Sequence, residues 1–133
     1  QTTASLIARL GAGSPQMLAT ATSAPCLGLF QPLAFAVGAG ADLLSDVAQP
    51  VAQSRWWRFE PVHRRALADA DFRHALQSSR DQLEARLLAQ LQKAEPDWRA
   101  MQLEAESWHA HWQQQALAEP AALNGWWRRH ARL

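Results

Sequence analysis

Cysteine, tyrosine and isoleucine are nearly or wholly missing from this 133-residue chain, which has one Cys, no Tyr and the single Ile7. A lone thiol cannot close an internal disulfide, nor supply a zinc site built from several cysteines. Few strand-forming residues and no sustained apolar-polar alternation argue against a sheet. A strong charge of one sign is missing too. Thirteen Lys and Arg against twelve Asp and Glu give +1, far from the basic body of a dedicated duplex-DNA binder.

Charge is absent from one long stretch. The 32 residues Leu10–Ala41 carry none, and every charged residue except Arg9 lies from Asp42 onward. The length suits one domain. It divides into an apolar, uncharged half, residues 1–50, and a charged amphipathic half, residues 51–133. Gly11, Gly13, Pro15, Pro25 and Pro32 punctuate the first half, which is predicted to form helical fragments rather than one straight helix. Ser14 before Pro15 has the pattern of an N-cap and first-turn proline, and Gln31 before Pro32 marks a second start, running toward Pro50. Ala24–Ala41 has the length of a membrane span, diluted by Gln31, two prolines and three glycines. Within it, Ala34 with Gly38 and Ala36 with Gly40 would let a second helix approach closely, although a tightly packed core uses the same residues. Gln1 in place of methionine fits a processed product, a fragment or an expression boundary.

The second half is rich in Ala, Leu, Gln and Arg, all strong helix formers. Pro61 is read as the opening of a short helix, PVHRRALADA. From Phe72 an apolar series follows: Leu76, Leu83, Leu87, Leu91, Ala94, Trp98, Met101, Ala105, Trp108 and Trp112. Steps of three and four from Leu83 onward put it on one buried helix face. Asp69 with Arg73, Arg80 with Glu84, and Glu95 with Arg99 are spaced for ion pairs on the exposed side. Pro96 interrupts the series without changing its phase. An unbroken helix from Asp71 to Ala118 would be about 70 Å long, too long to pack on so small a remainder. Two helices, 71–94 and 96–118, are therefore predicted, with one kinked rod as the alternative. Glu119 and Pro120 end the second, and Asn124-Gly125 turns the chain into a short C-terminal helix or tail, WWRRHARL.

No catalytic or metal-binding constellation emerges. His109 and His111 in WHAHW are two apart and diverge on a helix, whereas a helical chelate needs three or four. They read as solvated residues beside the stripe. Cys26 sits in apolar SAPCLGLF without a neighbouring base and reads as an inert core thiol. Ser78 and Ser79 lack the strand-to-helix elbow of a hydrolase nucleophile. GAGSPQ and GAGADL lack the lysine and preceding strand of a phosphate loop. Glu104 with Glu106, and Asp69 with Asp71, are also two apart and diverge.

Tryptophan, by contrast, is abundant, with seven residues. Trp98, Trp108 and Trp112 fall in the stripe and read first as core, second as anchors for another helix. Two further pairs sit in local positive excess: Arg55-Trp56-Trp57-Arg58, and Trp126-Trp127-Arg128-Arg129. Arginines stacked on half-packed rings would explain either pair structurally. Functionally, the same residues suit a protein interface, a lipid or other hydrophobic surface, or stacking on single-stranded bases, the last weakened by the small net charge. The reading is an all-α, single-domain, non-enzymatic adaptor or assembly subunit. It has no cofactor, and it binds protein partners, including further copies of itself, through these eleven residues. The alternative is a peripheral protein of a membrane or hydrophobic particle, so the location is cytoplasmic or envelope-associated.

Overall fold

The apolar stripe folds as two helices laid against a third. A computed structural model describes residues 5–9, 16–33 and 55–119. It contains strands β1 (Ser5–Arg9), β2 (Gln16–Thr20) and β3 (Gln31–Leu33), then helices α1 (Arg55–Ala68), α2 (Ala70–Leu91) and α3 (Trp98–Ala118). The fold is thus mostly helical, but the all-α expectation needs correcting: a small antiparallel sheet in the order β1-β2-β3 precedes the helices. Ser5 pairs with Thr20 and Arg9 with Gln16, while Met17 pairs with Leu33 and Ala19 with Gln31. Strands of five, five and three residues are too short to display the alternation that betrays a longer strand.

Gln31 and Pro32 begin a strand, not a helix. Pro32 is tolerated because β3 is paired on one side only among the described residues, and an edge strand is where a proline is accommodated in a sheet. The proposed span Ala24–Ala41 is a turn followed by a strand as far as Leu33. No helix among the described residues is long and apolar enough to cross a membrane. Ser14-Pro15, both glycine-rich stretches, the small-residue pairs at 34–40 and the tail from Pro120 lie outside the described residues.

The segment between β2 and β3 is folded onto the helices. Leu27 and Gly28 both donate backbone N–H to the Ala24 carbonyl at 2.9 Å, making a tight turn. Gly28 is required there, because a Cβ would collide with the hydroxyls of Thr20 and Thr22. The turn directs Ala24, Leu27 and Leu29 into the main core and leaves Cys26 outside. An exposed thiol corrects the expectation of a core cysteine: its neighbours fill the inward positions. Complete burial of Leu29 stabilises the docked segment by about 2 kcal/mol.

Helix α1 starts six residues before Pro61, which lies inside it. The lost hydrogen bond is outweighed because Phe59, Val62 and Ala66 continue one buried face across the proline. Asp69 then caps α2, its carboxylate accepting the Phe72 N–H at 3.0 Å. Leu76, Leu83, Leu87 and Leu91 line the inner side of α2. The helix ends at Leu91 rather than residue 94, leaving Ala94 exposed. Pro96 breaks the chain as the two-helix reading requires. Asp97 opens α3 by accepting the Ala100 N–H at 2.9 Å, a role for which Glu95 is poorly suited.

Two of the expected exposed pairs are replaced by other partners. Asp69 binds Arg65 at 2.8 Å, while Arg73 donates to the Ala66 carbonyl at 2.9 Å. Arg80 binds Asp81 at 2.6 Å and the Cys26 carbonyl at 2.5 Å. Glu84 instead accepts the Phe30 N–H at 2.8 Å.

Candidate functional site

The tryptophan stripe of α3 faces the core. Trp108 and Trp112 are buried with Met101, Ala105 and Ala116, and Trp98 is half-buried against the same cluster. The rings are fixed by polar contacts as well as packing. Ser79 Oγ on α2 accepts the indole N–H of Trp108 at 3.0 Å and that of Trp112 at 3.4 Å. Phe59 stacks on Trp108 at 6.3 Å, and Phe72 meets Trp112 edge-on at 5.2 Å. One serine thus satisfies two buried donors, which explains a polar residue on a helix face turned toward tryptophans.

The Arg55–Phe59 motif is divided by the helix that carries it. With Ala66 as the centre of the buried face, Trp56 and Arg58 fall about 80° to opposite sides and Trp57 about 180° away, at roughly 100° per residue. Trp56 and Trp57 are half-buried and meet edge to face, with centroids 4.6 Å apart and planes at 74°. Arg55 is buried and forms an ion pair with Glu106 of α3. Arg58 is half-buried, and its buried Nε has no hydrogen-bond partner. Arginines and rings therefore occupy different flanks of α1. Trp126, Trp127, Arg128 and Arg129 lie outside the described residues.

His109 is the main departure from the sequence reading, which placed it in solvent. It is only 8% exposed. Its Nε2 lies 2.9 Å from the Gln31 Nε2 amide, across 78 residues of chain. The amide can only donate, so the imidazole accepts at Nε2 and carries its proton on Nδ1. Burial, together with the charges of Arg55 and Arg58, pushes its pKa down to about 3. The ring is therefore neutral at physiological pH. The spacing contained the signal: His109 follows Ala105 by four residues and precedes Trp112 by three, on the border of the stripe. His111 is exposed and diverges from it.

A second polar cluster lies further along α1. Burial pushes the Glu60 carboxyl up, but hydrogen bonds from His63, Ser23 and Arg64 more than offset this and hold it below the ordinary carboxylate range. His63 Nδ1 is 3.4 Å from Glu60 Oε2, and Arg64 Nε is 3.0 Å from Oε1. The carboxylate, not the imidazole, is the centre of this group. A serine nucleophile needs the imidazole in that central position. Glu60, His63 and Arg64 thus form a polar cluster along one side of α1, which Ser23 of the N-terminal segment approaches. No group of three or more potential metal ligands occurs among the described residues.

Comparison with known protein families, curated proteins and solved structures finds no match for this chain.

Proposed function

We propose that the protein is a non-enzymatic helical assembly subunit that holds a protein partner on the outer flank of α1, with Trp56 and Trp57 as anchors. The observation that carries this reading is the edge-to-face pair itself: two large adjacent rings, each half-buried beside the other. Aromatic side chains of this kind present much apolar area at little conformational cost, and tryptophan is enriched among interface residues whose truncation weakens binding most. Trp108 and Trp112 support the site indirectly by fixing the face of α3 on which α1 rests.

The reading is tested by affinity purification of the full chain from its native source, with quantitative mass spectrometry and recombinant reconstitution of each partner found. The double variant W56A/W57A is expected to weaken a reconstituted complex by about thirtyfold or more, since even one anchor residue contributes roughly 2 kcal/mol when truncated. L88A, an exposed apolar change on α2, is expected to leave it intact. If W56A/W57A retains every partner at wild-type affinity, or the wild type binds anionic vesicles and no protein, the reading is overturned.

A further inference from the structure

On the flank of α1 opposite Trp56, a narrow, partly open cavity of about 10 Å³ is lined by Arg55, Arg58, Phe59, His109 and Gln113. That is the space of one oxygen-sized atom. Its polar lining is almost entirely donors. Arg58 Nε has no acceptor, and among the described residues no carboxylate pairs with Arg58. With Nε2 accepting from Gln31, the ring proton of His109 is carried on Nδ1. Both guanidinium groups stand in the first turn of α1, which contains no acidic residue, the reverse of what the helix dipole favours. Glu106 compensates Arg55 from the more exposed side of the cluster. A water molecule here would find an acceptor for its own protons only in the Gln113 amide, whereas an anionic oxygen can accept from every surrounding donor.

We propose that this cavity is a carboxylate-binding site: one carboxylate oxygen seats between Arg58, His109 and Gln113, and the second is held by the outward nitrogens of the Arg58 guanidinium. The planar fork of arginine matches a carboxylate in two parallel bonds. His109 contributes one neutral donor and so discriminates little against small anions by charge. Glu106 neutralises the neighbouring Arg55 and so lowers the positive field at the seat. The carboxylate belongs either to a free small organic acid or to an acidic side chain of a protein. The site stands independently of the tryptophan flank.

The test uses the full chain labelled with ¹⁵N, observing arginine Nε–Hε signals during titration with sodium acetate against sodium chloride at equal ionic strength. Acetate is expected to give a saturable shift of one such signal. Acetate affinity read from thermal stabilisation should fall about tenfold in R58Q, the equivalent of one charge-assisted bond. Because R58Q perturbs the first turn of α1, E106Q provides a second arm: removing the Glu106 charge that offsets Arg55 beside the seat should tighten acetate binding several-fold. A blocked glutamyl tripeptide binding about tenfold tighter than acetate assigns the carboxylate to a protein side chain; equal affinity assigns it to a free acid. A shift linear in acetate, or an identical response in wild type, R58Q and E106Q, overturns the proposal.

Discussion

Acidification should destabilise this protein well before its carboxylates protonate, and His109 is the reason. Its folded pKa of about 3 lies below the ordinary 6.5, so the folded state takes up fewer protons than the unfolded chain. The resulting stability is fully present above 6.5 and is lost as pH falls from 6.5 toward 3. Each pH unit in that window costs about 1.4 kcal/mol, so the fall from 6.5 to 4.5 costs about 3 kcal/mol and the whole window about 5. Glu60 and Asp69 have lowered values, so their contributions are lost only below the ordinary 4.5 and 3.8. Glu84 runs the other way. Burial raises its pKa, so its contribution is fully present below 4.5 and is lost as pH rises through the folded value. Urea unfolding at pH 7, 6, 5 and 4.5 reads the slope directly. From pH 7 to 4.5 the wild type should lose about 3 kcal/mol more than H109Q, which keeps a hydrogen-bonding amide near Gln31 and shares the opposing Glu84 contribution. Equal slopes in the two proteins would refute the assignment of a buried, neutral His109.

Two further changes probe the packing. S79A leaves the indole N–H groups of Trp108 and Trp112 without their acceptor and should cost about 2 kcal/mol in urea unfolding, whereas S78A, at an exposed neighbouring position with the same helix propensity change, should stay within about 0.5; similar values for both would mean the shared acceptor is unimportant. E84Q keeps an acceptor for the Phe30 N–H while removing a buried charge, so stability at pH 7 should hold or rise and the gap to wild type should close below pH 4.5. A loss above about 1 kcal/mol at pH 7 would show that the charge itself is needed.

The helical half was largely legible because its information is periodic. Leu83, Leu87, Leu91, Met101, Ala105, Trp108 and Trp112 recur at helical steps, and all are buried. The break at Pro96 followed from length and proline chemistry. What escaped was information without a period. Gln31 bonds His109, Phe30 bonds Glu84 and Arg80 bonds the Cys26 carbonyl across 78, 54 and 54 residues, and nothing local announces such pairs. The strands were hidden by brevity and by Pro32. For the Arg55–Phe59 motif, adjacency in sequence suggested one mixed patch, whereas rotation of 100° per residue sends the arginines and Trp57 to different sides.

Arg80 and Glu84 stand one helical turn apart on α2 and grip opposite ends of the turn, one at the Cys26 carbonyl and the other at the Phe30 N–H. Together they act as a ruler for the intervening chain. A residue inserted between Cys26 and Phe30 could satisfy one grip only by releasing the other, and would rotate Leu27 or Leu29 out of the core. Length variation among sequences sharing this fold should therefore be absent from 26–30, whatever substitutions the exposed position 26 accepts.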